Sequence, residues 1–235
     1  MPCGFYFTRH LLWLSDKELK YGQANPSQET RRNDLTSQTF VIAIAGHSGA
    51  GKSTLIEFLR LRLRDVNLLS LDEYEASSTY PLTSKWIEDG ADPNEFLAPQ
   101  FDADVRALKN GISIIHPETK KEIKPNPFLI LEEPFGRGRV ALHDLIDFVV
   151  YVDTPLEVAY IRKISRKNNF LPWEDDPDVF IAHLRENMEW YLRVGRSFYL
   201  AIAERVRENC DLIVDGTCST EQIADKIIKA INEKL

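Results

Sequence analysis

Nine consecutive residues carry the strongest chemical signal in the sequence: Gly46-His47-Ser48-Gly49-Ala50-Gly51-Lys52-Ser53-Thr54. Their spacing, G-x-x-x-x-G-K-[ST], gathers glycines, one lysine and one hydroxyl on a short loop, which is the make-up of a phosphate cradle. The glycines let backbone N–H groups turn toward phosphate oxygens, and a helix starting at the loop adds partial positive charge there. Lys52 is expected to reach the β- and γ-phosphates of a nucleoside triphosphate, and the Ser53 hydroxyl to take one position on Mg²⁺. The whole stretch from Gly46 to Thr54 is expected to bind ATP. His47 sits at a variable position of the pattern and needs no catalytic role.

Other residues could complete phosphoryl transfer, which asks for electrostatic clamping, a metal and an oriented nucleophile. Asp72 follows the second strand-like run and is placed to orient or deprotonate an acceptor hydroxyl near the metal; the alternative is an exposed helix N-cap. Glu133 closes a later apolar run and suits a direct or outer-shell Mg²⁺ ligand. Glu132 is expected to point the other way, because strand side chains alternate. Arg162, Lys163 and Arg166 form a basic cluster within about one helical turn, either closing over the triphosphate or lining a solvated face. Trp86 and Trp173 could stack on a base, although a tryptophan in a loop more often anchors the loop. His116, after an apolar strand, could donate to substrate.

These residues need elements to hold them. Phe40-Val41-Ile42-Ala43-Ile44-Ala45 is an unbroken apolar run, the pattern of a strand buried on both faces. Leu55 to Arg62 is rich in helix formers, so the glycine loop stands between strand and helix. Further strands are expected at Val66–Leu71, Phe128–Leu131, Phe148–Val152 and Leu212–Val214, with a hairpin at 112–124. Thr154-x-x-Glu157 with Pro155 reads as a capping box opening a helix, and Ser219-x-x-Gln222 as another. Gly195 stands as a candidate break in the long helical region before Asn209. Residues 76–104, with Pro81, Gly90, Pro93 and Pro99, fit no long regular element and read as a functional loop. Strands alternating with helices predict an α/β fold: a P-loop NTPase three-layer α/β/α sandwich with a parallel five-stranded sheet and a lid region. Ligands in such sheets sit beyond the carboxyl ends of the strands, which gathers the P-loop, Asp72, Glu133 and Asp153 at one rim.

Bulk properties narrow the function classes. The chain has 235 residues and a net charge of −7, so it has no global basic field for nucleic acid. Three cysteines, Cys3, Cys210 and Cys218, lack metal-ligand spacing and suit free thiols in a reducing compartment. Neither a bilayer-length apolar run nor a signal-peptide pattern is present, which points to the cytoplasm. Residues 1–38 read as an extension and polar linker, and 39–235 as one domain. The expected partner is a small-molecule acceptor, with room for a homo-oligomer and none for nucleic acid or membrane.

Taken in order, the motifs resemble the P-loop kinases of the uridine kinase and phosphoribulokinase group. The resemblance runs over about 40–216: the GHSGAGKST loop, Asp72-Glu73-Tyr74, Ala91-Asp92-Pro93-Asn94-Glu95-Phe96, the LILEE strand, Val152-Asp153-Thr154 leading to Arg162-Lys163-x-x-Arg166, and the closing IVDG. It implies Asp72 as catalytic base and Arg162, Lys163 and Arg166 as lid residues. It also implies Asp92 and His116 in the acceptor pocket, with Tyr74 and Lys163 on the substrate side. In the family's lid, Arg-Arg-x-x-Arg-Asp is followed by further arginines, whereas here Arg166-Lys167 is followed by Asn168-Asn169-Phe170. The expected activity is ATP-dependent transfer to a hydroxyl, most simply of a nucleoside, with pantothenate-, glycerate- or sugar phosphate-like alcohols as alternatives. A GTPase switch is disfavoured because no Asn-Lys-x-Asp motif occurs; a nucleotide-binding protein without catalysis is the remaining alternative.

Overall fold

Five parallel strands build the sheet at the centre of the computed structural model, which describes residues 38–165 and 176–235. The expected N-terminal extension, Arg166 and Trp173 lie outside the described residues. In chain order the elements are β1 (Phe40–Ala45), α1 (Lys52–Leu63), β2 (Val66–Ser70), α2 (Thr83–Glu88), α3 (Pro99–Lys109), β3 (Ile114–Ile115), β4 (Glu122–Ile123), β5 (Phe128–Glu132), β6 (Phe148–Asp153), α4 (Leu156–Ile164), α5 (Pro177–Trp190), α6 (Arg196–Arg207), β7 (Leu212–Asp215) and α7 (Thr220–Lys234). The sheet runs β2-β5-β1-β6-β7, and β3 pairs with β4 as a small antiparallel hairpin. The expected α/β class, parallel sheet and hairpin are all observed.

Strand alternation divides the core in two. Ile42 and Ile44 of β1, with Ile130 and Val150, face α1 and α7, where Leu55, Ile56, Leu59, Ile227 and Ile231 cover them. Val41, Ala43 and Ala45, with Leu129 and Leu131, face the opposite layer of α3 and α6, around Phe101, Trp86, Phe198 and Ile202. Each fully buried leucine, isoleucine or phenylalanine side chain contributes roughly 1.5–3 kcal/mol. Because all five strands run the same way, the residues after β1, β2, β5 and β6 emerge at one rim.

Local departures from the sequence reading have physical causes. The stretch 76–104 contains α2, a 3₁₀ turn at Pro93–Glu95 and the start of α3, whose Pro99 takes the first helical turn. The capping box expected at Thr154 does not form: α4 starts without a side-chain cap, and the Thr154 hydroxyl donates instead to the carbonyl of Ala50 (2.9 Å). The box at Ser219 and Gln222 does form. A π-helical segment, Tyr191–Gly195, joins α5 to α6. Gly195 is required there because a Cβ would lie 2.3 Å from the Trp190 ring.

Candidate active site

The loop after β1 folds as a cradle whose floor is backbone. Gly51 takes the left-handed conformation (φ 105°) at the start of α1, and no side chain caps that helix, so its first N–H groups stay available to an anion. Gly49 is also left-handed (φ 84°), and a Cβ there would fall 2.0 Å from the Ala159 carbonyl oxygen of α4. His47 is 4% exposed and pinned by an Nε2–H bond to the Thr154 carbonyl (2.8 Å). Burial lowers its pKa, against the raising effect of its backbone hydrogen bonds, so the ring stays neutral and serves as a loop anchor. The Lys52 ammonium lies at the mouth of the cradle, donating to the His47 carbonyl and facing Glu132 Oε1, each at 3.4 Å.

The end of β5 corrects the expectation for its two glutamates. Glu133 is wholly buried: its carboxylate accepts from Arg139 (Nη2 2.9 Å, Nε 3.3 Å) and from the Phe135 N–H (2.9 Å). Arg139, itself 2% exposed, also reaches Asp102 of α3. Glu133 therefore ties the strand end to α3 and does not face the cradle, whereas Glu132, on the α1 side with Ile130, does. Arg139→Met is expected to destabilise the protein by about 3–5 kcal/mol, because it leaves a buried carboxylate without its cation. Denaturant unfolding checks this; an unchanged midpoint would mean that the pair stabilises nothing.

Asp72 lies in the 3₁₀ segment Leu71–Ser77 that follows β2. Ser70 and Glu73 form a capping box around it, so the N-cap role considered for Asp72 belongs to Ser70. By surface area its side chain is exposed, although neighbouring protein and the carboxylates of Glu132, Glu75 and Glu73 crowd around the carboxyl itself. Burial first, then the charges of Glu132, Glu75 and Glu73, push its carboxyl up to about 7, with Lys52 opposing. A carboxyl held there is suited to accepting a proton at neutral pH.

The remaining expected substrate residues are dispersed. Tyr74 is 1% exposed, packs on Phe101 and donates its hydroxyl to Asp104 Oδ2 (2.9 Å); it is a core residue and corrects the substrate reading. Asp92 caps its own turn, accepting from the Asn94 N–H (2.9 Å), and lines a cavity of about 360 Å³ with Arg205, Glu208 and Asn209 rather than with P-loop residues. His116 lies beside the Asp72 segment: its Nδ1 accepts from the N–H groups of Glu118 and Thr119, so Nε2 carries the proton and donates to Glu73 (3.3 Å). Trp86 lies in α2, not a loop; fully buried, it ties that helix to the following turn by donating Nε1–H to the Asp92 carbonyl. Tyr80, half-buried against Phe96, escaped the sequence reading; burial raises its phenol pKa, with Asp72 and Glu75 adding to the shift. Only its aromatic character within the loop after Asp72 hinted at it.

On α4, Arg162 donates to the Gly216 carbonyl (2.9 Å) and Lys163 to the Tyr199 hydroxyl (3.4 Å). Asp153 pairs with Arg207 at the surface. Ser53, Glu132 and Asp72 offer only oxygen donors, the preference of a hard cation such as Mg²⁺. Among the described residues no group of three or more His, Cys, Asp or Glu forms a metal site by itself.

A parallel α/β sheet with a P-loop at its rim and acidic residues facing the P-loop lysine defines a nucleotide-binding P-loop phosphotransferase. The chain belongs to the Phosphoribulokinase / Uridine kinase family, whose model matches residues 41–169. It is a small-molecule kinase. It is 28% identical over 186 residues to a uridine kinase of Borrelia duttonii (strain Ly), covering 74% of this chain and 85% of that one. It is 29% identical over 189 residues to a uridine kinase of Staphylococcus aureus (strain JH9), covering 75% and 87%. A uridine kinase of Enterobacter sp. (strain 638) aligns over 214 residues at 26% identity, covering 84% and 96%. Among the described residues no helix is long and apolar enough to cross a membrane.

Proposed function

We propose that this kinase, built on a domain spanning 39–235, transfers the γ-phosphoryl group of ATP to a hydroxyl of a nucleoside. The observation that carries this reading is the meeting of Lys52 and Glu132 at the mouth of the phosphate cradle, within the field that acts on Asp72. The cradle N–H groups and Lys52 hold the triphosphate, and Asp72 orients the acceptor hydroxyl and takes its proton. Ser53 and Glu132 are the residues that would hold Mg²⁺, which when bound neutralises phosphate charge, with Asp72 beside them left to take the proton. Arg162 and Lys163 flank the cradle from α4 as lid-base cations, with Arg166 the next basic residue of the motif. The nucleoside preference rests on the relatives named uridine kinase.

ADP release measured across nucleosides, pantothenate, glycerate and sugar phosphates, with a control lacking acceptor, tests the assignment. Nucleoside-dependent ADP is expected. Release with another alcohol alone would move the acceptor class, and acceptor-independent hydrolysis alone would remove the transferase reading.

A pH dependence follows from Asp72. Its base form is available only above its pKa of about 7, raised from the ordinary carboxylate range. At subsaturating substrate, kcat/KM should fall about tenfold per pH unit below that value and level off above it. A profile flat from pH 5 to 8 would exclude Asp72 as the base.

A further inference from the structure

Three cradle residues are held from the α4 side of the fold. His47 and Ala50 bond to Thr154, and Gly49 lies against Ala159. Beside them Tyr199 of α6 sets its ring against that of His47, centroids 5.6 Å apart, and directs its phenol oxygen toward α4. The same oxygen takes the Lys163 ammonium at 3.4 Å. Lys163 is also placed over the Trp190 ring, 5.5 Å from its centre, a cation–π arrangement. Trp190 reaches that place because the π-helical segment returns the chain at Gly195, where no side chain obstructs the ring. Such π turns inside helices are frequent at functional sites.

We infer that Tyr199 is a positioning residue, whose ring packs on His47 of the phosphate cradle while its hydroxyl holds Lys163 near the C-terminal end of α4, setting that cation beside the cradle for the triphosphate. The inference rests on the reading of the cradle as the ATP site. The ring alone does not explain the tyrosine: it is 8% exposed and surrounded by His47, Trp190, Tyr191 and Phe198, company that would suit phenylalanine equally well. Burial raises the phenol pKa, so the group stays neutral and acts as a fixed dipole beside a cation.

Tyr199→Phe removes one oxygen and preserves the packing. ATP affinity, measured by titration on the full chain, should weaken about fivefold, the scale of one lost hydrogen bond of ordinary net strength, with the melting temperature nearly unchanged. The cycle with Lys163→Met is the discriminating measurement. If Tyr199 acts through Lys163, the double variant binds ATP no more weakly than Lys163→Met alone. Unchanged affinity in Tyr199→Phe, additive losses in the double variant, or a loss that merely tracks lowered stability would each overturn the inference and leave the ATP site standing. Failure of the wild-type chain to bind ATP in the same titration would overturn both.

Discussion

Lys52→Ala is expected to abolish phosphoryl transfer, lowering turnover by about 10³-fold, and to weaken ATP binding as well. The ammonium is held by the His47 carbonyl and Glu132 at the mouth of the cradle, each at 3.4 Å. A cation fixed before the substrate arrives needs no reorganisation as charge shifts on the transferring group, which is why such preorganised charges dominate catalysis of this kind. Alanine removes the charge and leaves Glu132 facing phosphate with no cation between them. Both effects work against a bound anion. Isothermal titration with ATP and an ADP-release assay check the two parts separately. Wild-type affinity with wild-type turnover would sink the assignment of the loop.

Asp72→Asn is expected to spare the fold and nucleotide binding while lowering acceptor-dependent turnover by roughly 10²-fold or more, the scale of a lost general base. The substitution keeps the shape of the side chain and removes its ability to accept a proton. The capping box that shapes this segment uses Ser70 and Glu73, so the local backbone does not depend on Asp72. The variant also relieves crowding among Asp72, Glu132, Glu75 and Glu73, so stability should hold or rise slightly. Circular dichroism and ATP titration establish that the variant is folded and loaded before turnover is read. Near-normal turnover would remove the base from the mechanism. An unfolded variant would make Asp72 structural.

The motif-bearing elements were legible in the sequence because each carries its own local code. The apolar run at Phe40–Ala45, the glycine pattern after it and the helix formers beyond specify strand, cradle and helix from neighbouring residues alone. The same holds for the five sheet strands and for the cap at Ser219. The helices α2 and α3 were missed because Pro81, Gly90, Pro93 and Pro99 read as breakers across 76–104, although α2 fits between Pro81 and Gly90 and Pro99 opens a helix. What the sequence could not decide was which face of a strand meets which layer. Glu132 and Glu133 are equivalent by composition, and only the docking of α1 on the Ile42, Ile44 and Ile130 side turns Glu132 toward Lys52. Glu133 falls on the α3 side and is consumed by Arg139. In the same way the aromatic after Asp72-Glu73 offered no sign that Asp104, 30 residues on, would take the Tyr74 hydroxyl into the core. The contacts of Tyr199 with Lys163 and with His47 join elements up to about 150 residues apart, and no local pattern encodes them. Short-range chemistry made the cradle readable in one dimension, whereas partners across layers exist only once the layers pack.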